Sequence, residues 1–519
     1  MITLRPFASG SPRAWRLSQA VLARATAGQA LAALALLVIV PASAIAASRG
    51  FDGLYGQDAY AYFDYASGPV RQSILHLAPL EAFFWPPGYP VLVALASLVI
   101  GPVPLAGQIV SLVMGGLVAV LTARLAREVW PGDPARALVA GLSVGVSGQL
   151  WQSSLVVMAD TTGLALATFS ALALVRYASN GRFGWLAAAS AAIAWATLAR
   201  WIYGLVAIPF AAYALWALSR ERPRRLALAH GLAASVLALA ILGPLLGPSV
   251  LGLMHDPTQP ATFAGNLQVY SWSPLNAARR DFFTADGHLQ YALPNGVYYA
   301  IAPANLALFG PLLAAWIVVG AYAARGWRWP TLTLIVGWAA IVYAFHAGAP
   351  WQNFRFTLAY LPPLAILLAT GLLSAWRSVG RRLRGAVGLC AALGLLLAAG
   401  DAVRVVERFI DTKDQDLALV RWTQVSTPPA AQLLTFGPTL TFRHYSGLVV
   451  FDLFDLSQSE LSSMLAAPTA RYALVDESSL DSQWLGQAPA NNFSLVRERA
   501  GLTLLGSHGS YRLYRVGPT

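Results

Sequence analysis

Charge is scarce in this sequence. Only 11% of its 519 residues are Asp, Glu, Lys or Arg, where a soluble domain carries about 25%. The deficit runs along most of the chain, beside 57% hydrophobic residues and a mean hydropathy of +0.57. A string of about three soluble domains, the prior that length suggests, is excluded; one large helical membrane part plus one further module fits better. Cysteine is nearly absent too. Cys390 stands alone in an apolar run, so no intrachain disulfide can form and thiols say nothing about redox compartment. The seven histidines show no metal-ligand spacing. No Walker, Rossmann or GxSxG motif occurs in a fitting context. The net charge of +12 invites nucleic acid, yet residues 403–519 hold 10 basic and 11 acidic side chains. The excess is arginine between hydrophobic runs, a topology signal and not a nucleic-acid patch.

What the sequence does have is apolar runs. They lie near 28–47, 105–125, 137–152, 160–177, 185–199, 202–218, 226–249, 304–324, 330–346, 358–375 and 385–402. Several fall short of the ~20 residues that cross ~30 Å of hydrocarbon, so about eleven spans are predicted with soft boundaries. The first run ends in small residues, but a second apolar region follows, so it reads as a retained span rather than a cleaved signal. Alternation from a cytoplasmic N-terminal segment (1–27) puts Arg5, Arg13, Arg16, Arg24, Arg124, Arg127, Arg136, Arg176, Arg182, Arg220, Arg222, Arg224, Arg225, Arg325, Arg328, Arg377, Arg381, Arg382 and Arg384 inside. Those 19 face 6 outside: Arg49, Arg71, Arg200, Arg279, Arg280 and Arg355. The positive-inside rule expects this bias.

The same count decides residues 89–101. If they crossed, every later arginine cluster would move outside. The segment is short and bracketed by Pro86, Pro87, Pro90 and Pro102, so it reads as an interfacial helix within a long outside loop, 48–104. A second outside loop covers about 250–303. Residues 28–402 thus form the transmembrane domain. Residues 403–519 alternate helix-like and strand-like stretches, with a capping-box start at Ser457–Glu460, and predict a small extracytoplasmic α/β domain. No internal repeat is visible.

Acidic residues of the membrane part show the opposite bias. Asp52, Asp58, Asp64, Glu81, Asp160, Asp256, Asp281, Asp286 and Asp401 fall outside or at the outer edge; Glu128, Asp133 and Glu221 fall inside. Chemistry is therefore expected to face outward. Asp58 lies in YGQDAYAYFDYASG, with Tyr62 one helical turn on and Asp64 on another face. A carboxylate there can deprotonate a hydroxyl, or simply cap an amphipathic helix beside an aromatic belt. Asp160 begins an apolar run, as a helix cap or as a costly ionisable group facing protein or water. Arg200 and Arg355 sit outside against the rule, suited to gripping a phosphate or to snorkelling toward headgroups. Arg279, Arg280 and His288 are weaker candidates of the same type.

Taken together, the chain resembles the GT-C superfamily of polyprenyl-phosphate-sugar-dependent glycosyltransferases. That superfamily includes protein O-mannosyltransferases, lipid A aminoarabinose transferases and the oligosaccharyltransferase catalytic subunit. GQDAYAYFDYA is similar to its first-loop acidic motif, WPPGYPVLVALASLV to its juxtamembrane stretch, and MADTTGLAL to its second-loop aspartate. ARWIYGLVAIP and FRFTLAYLPPL extend the likeness over about residues 28–402.

The resemblance implies an inverting sugar transfer to a lipid or glycan acceptor at the outer face of the plasma (inner) membrane. Asp58 would be the base and Asp160 would help place the acceptor or a cation. Arg355, supported by Arg200 or by Arg279 and Arg280, would hold the lipid phosphate, with Tyr62, Asp64 and His288 in support. It leaves the cofactor open, a divalent cation included. The chain departs from the protein mannosyltransferase branch, whose adjacent Asp-Glu pair is Asp58-Ala59 here. A secondary transporter, which needs ionisable groups near the midplane, and a scaffold presenting the C-terminal module are the readings from other classes.

Overall fold

The computed structural model describes residues 12–81, 83–221, 223–255, 271–467 and 469–517. The first eleven residues of the expected cytoplasmic segment, Arg222, and residues 256–270 of the second long loop with Asp256 lie outside the described residues.

Apolar runs become helices because lipid leaves no other partner for backbone N–H and C=O groups. Eight described helices are long and apolar enough to cross a membrane: Gly28–Arg49, Pro104–Val129, Asp160–Asn180, Ile202–Ser219, Arg224–Leu246, Trp329–Gly348, Phe354–Ser378 and Arg381–Ser426. The other three expected spans are shorter or broken. The run at 137–152 is split into Pro134–Gly145 and Gly148–Leu155. The run at 185–199 is the helix Phe183–Ala199, of 17 residues, and the run at 304–324 is Pro311–Ala323, of 13. Residues 89–101 form a 13-residue helix, Gly88–Ile100. Burial separates the helices by position. Phe354–Ser378 is enclosed by its neighbours, whereas Arg224–Leu246 is almost wholly exposed on the bundle surface, with Leu228, Leu232 and Leu239 outward.

The last apolar helix does not stop where the membrane part was expected to end. Arg381–Ser426 runs unbroken for 46 residues across position 403. Its far end packs Leu419 and Val420 against Leu433, Phe442, Leu474 and Leu513 of the C-terminal domain. That domain holds five strands in the order β4-β3-β5-β7-β6: β3 (Gln432–Thr435), β4 (Val449–Asp452), β5 (Arg471–Val475), β6 (Gly501–His508) and β7 (Tyr511–Gly517). The β3–β4 and β3–β5 pairs are parallel, and β7 pairs antiparallel with both β5 and β6. The Ser457 capping box forms as the sequence signals. A separate hairpin, β1 (Asp281–Thr284) with β2 (Gly287–Gln290), rises from the second long loop.

Candidate active site

Four helix termini meet at the end of the bundle beside the C-terminal domain. Asp58 lies in the first turn of Gln57–Tyr65, whose N-cap Gly56 offers no side chain. The stretch WPPGYP holds that helix in place. Gly88 approaches Leu198 so closely that a Cβ would stand 2.7 Å from its carbonyl oxygen, and the buried Tyr89 hydroxyl donates to the Gly107 carbonyl at 3.1 Å. Tyr62 then packs on Phe83, Trp85 and Tyr89. Asp160 is the first residue of Asp160–Asn180; the N-cap position that the sequence suggested for it falls on Ala159 instead. Arg200 is the one extended residue that ends the helix Phe183–Ala199, at φ −149° and ψ 130°. Arg355 enters a 3-10 turn, Phe354–Tyr360, whose N-cap Asn353 accepts the Arg355 backbone N–H at 3.0 Å. Pro362 and Pro363 open the helix that follows, Leu361–Ser378, where a missing N–H costs nothing.

The charges interlock. Arg355 Nη2 lies 2.6 Å from Asp58 Oδ2, and Arg355 Nε lies 3.7 Å from Asp160 Oδ2. Arg200 Nη1 meets Asp160 Oδ1 at 2.9 Å. Arg355 Nη1 also donates to Met158 Sδ at 2.9 Å, and both guanidinium groups lie 5.6 Å from the Phe356 ring centroid. The carboxylate of Asp160 is only 6% exposed, which demands the compensation these arginines provide. Burial pushes the Tyr62 phenol well above its ordinary value, so beside these ions it stays neutral and is no base.

All four ionised residues and Tyr62 line one cavity of about 1100 Å³. Its wall also takes Ile202, Leu205 and Leu246 from the membrane helices, Asp286 from the hairpin, and Leu440 and Phe454 from the C-terminal domain. The remaining sequence candidates stand elsewhere. Asp64 turns away from Tyr62 and meets His444 Nε2 at 3.1 Å. Arg279 and Arg280 are exposed and do not line the cavity, and His288 pairs with Asp281 at 2.8 Å. Met158 and Phe356 touch the central ions without having been singled out. An apolar side chain within an apolar run carries no distinguishing mark, although Met158 adjoins the MADTTG stretch. Among the described residues no group of three or more His, Cys, Asp or Glu is arranged to hold a metal ion. The two carboxylates that a cation could bridge, Asp58 and Asp160, instead share Arg355.

Comparison with known proteins bears on the fold that carries this site. The family model for dolichyl-phosphate-mannose-protein mannosyltransferase matches residues 85–247. That stretch is under a third of the chain and contains Gly88, Asp160 and Arg200, but neither Asp58 nor Arg355. Among solved structures, ArnT from Cupriavidus metallidurans bound to undecaprenyl phosphate superposes with a TM-score of 0.57 at 14% identity, covering 92% of this chain and 97% of that one. ArnT in the apo state gives 0.57 at 15% identity with the same coverage. The archaeal oligosaccharyltransferase AglB from Archaeoglobus fulgidus, in complex with an inhibitory peptide and a dolichol-phosphate, gives 0.52 at 14% identity over 92% of this chain and 74% of that one. No curated protein matches the chain in sequence. The chain therefore has the fold of GT-C glycosyltransferases, and the resemblance drawn from its motifs holds.

Proposed function

We propose that the chain is a membrane glycosyltransferase that moves a sugar from a polyprenyl-phosphate donor to an acceptor hydroxyl, with inversion. The observation that carries this reading is Arg355 held between Asp58 and Asp160 in the wall of a large, mostly apolar cavity. The chemistry needs a base for the incoming hydroxyl and a cation for the leaving phosphate. Asp58 is the base and Arg355, with Arg200, is the clamp. A donor phosphate competes with the carboxylates for the same guanidinium groups; as Arg355 turns to phosphate, the Asp58 carboxylate is released to accept a proton. The acceptor oxygen then bonds to the anomeric carbon, its proton passes to Asp58, and the carbon–oxygen bond to the lipid phosphate breaks. Asp160 keeps Arg200 and Arg355 oriented throughout. Apolar Ile202, Leu205 and Leu246 suit a polyprenyl chain. Every ionised group of the site sits at a helix end and none in mid-helix, which supports a surface-facing enzyme over a transporter.

The arginine bias supports an extracytoplasmic face for this end of the bundle, in a plasma membrane with a cytoplasmic N-terminus. Reconstituted protein should consume a polyprenyl-phosphate sugar and release polyprenyl phosphate. Failure of every such donor across a panel of hexoses and pentoses would overturn the proposal.

A further inference from the structure

The cavity wall has a part that base, clamp and lipid leave unused. It is made where the β1–β2 hairpin meets the C-terminal domain. His288 N–H donates to the Gln483 carbonyl at 2.7 Å, and Gln483 Nε2 donates to the Asp286 carbonyl at 2.8 Å. Gly287, at φ +84°, comes so near that a Cβ would stand 2.2 Å from the Gln483 carbonyl oxygen, so this turn requires glycine. The clamp fixes Asp286, whose Oδ2 accepts the Trp351 indole N–H at 2.6 Å. Across the rim Phe454 is 42% exposed, yet its ring is braced by Phe436 at 6.4 Å and Trp484 at 6.0 Å. Two sequence-distant regions are thus tied together to hold aromatic rings and a carboxylate at one rim.

That combination suits sugar. Aromatic faces pack against the C–H face of a pyranose or furanose ring, and a carboxylate accepts its hydroxyls. Charge narrows the class. The basic side chains of the lining, Arg200 and Arg355, are engaged by Asp58 and Asp160 at rest and by the donor phosphate in the proposed reaction, so Asp286 leaves the rim negative and hostile to phosphorylated or uronic ends. A volume near 1100 Å³ also lies at the upper end of the roughly 300–1,000 Å³ typical of ligand pockets, so the rim need not be filled by the donor headgroup. Resting on the sugar-transfer reading above, we infer that the acceptor is the uncharged end of a glycan, seated on Trp351, Phe454 and Asp286.

The test is saturation-transfer NMR on the full-length protein in lipid nanodiscs. Its probes are neutral gluco-, galacto-, manno- and arabino-oligosaccharides, matched acidic oligosaccharides, and undecaprenyl phosphate. At least one neutral oligosaccharide should bind and no acidic one should. Phe454→Ala and Asp286→Asn should each weaken that binding roughly fivefold or more, while Phe454→Tyr retains it and undecaprenyl phosphate binds all four proteins alike. Absence of neutral-sugar binding, or binding indifferent to both variants, overturns the inference. Loss of undecaprenyl phosphate binding by the unaltered protein would instead strike the donor reading.

Discussion

At both ends of the bundle carboxylates meet arginines, but in different company. At the end away from the C-terminal domain, Asp133 lies 3.4 Å from Arg136 and 2.7 Å from Arg377, and Glu128 lies 2.9 Å from Arg176. Glu221 accepts from the Tyr177 hydroxyl at 2.6 Å and pairs with His230. Aromatic rings close over these charges, with Trp130 4.4 Å from Arg136 and Trp185 4.6 Å from Arg176. None of these residues lines the cavity. At the other end, Arg355 is divided between two acids from two different helices, and every member faces the cavity. An ion pair closed over by rings stabilises the bundle; one opening onto a cavity can exchange its partner for a ligand. On the proposed function, one end serves structure and the other chemistry.

Substitutions can break that contrast, and the largest effect belongs to Asp58. Replacement by Asn should lower the transfer rate roughly 10²- to 10⁴-fold, the usual contribution of a general base, with folded yield unchanged in size-exclusion chromatography. Arg355→Lys keeps the charge but loses the planar fork, so kcat/KM should fall about 100-fold in the same transfer assay. Asp133→Asn tests the opposite end: it strands the buried Arg136 and should cost roughly 3–5 kcal/mol of stability. Thermal unfolding in detergent would show the loss, with the specific activity of the surviving protein kept. If Asp133→Asn instead abolished transfer without destabilising the bundle, the division between the two ends would be wrong.

The smallest effect is expected at the brace between the domains. The Gln57–Tyr65 helix carries Asp58 on one face and leans on the C-terminal domain with the other. There Tyr60 hydroxyl meets Thr441 Oγ1 at 3.3 Å and Asp64 meets His444. Burial pushes the Tyr60 phenol up to about 12, so this contact remains uncharged through the neutral range. A half-exposed Asp64–His444 pair is worth about 0–1 kcal/mol. His444→Ala should therefore reduce kcat only a few-fold while leaving undecaprenyl phosphate affinity intact, as isothermal titration would show.

Much of this site is legible in the sequence, for a physical reason. Arginine bias fixes helix parity, and parity requires Asp58, Asp160 and Arg355 to share one membrane face although 297 residues separate Asp58 from Arg355. Strand-like alternation and the Ser457 capping box likewise disclose the α/β module. Other features leave no local trace. Phe356 and Met158 look like any apolar residue until two guanidinium groups lie against them. The sheet order depends on parallel pairing between distant segments, and the helix Arg381–Ser426 crosses from one domain to the other without a compositional break. Arg279 and Arg280 share the sign and side of Arg200, and only tertiary structure shows that they stand outside the cavity lining.

The central claim is that Asp58 removes the acceptor proton while Arg355 and Arg200 hold the lipid phosphate. It is tested most directly by following release of undecaprenyl phosphate from undecaprenyl-phosphate sugars by reconstituted protein and its Asp58→Asn variant, beside the affinity of each for undecaprenyl phosphate. The account predicts that the variant binds the lipid phosphate at least as well and releases almost none. Release at an undiminished rate by Asp58→Asn would contradict it.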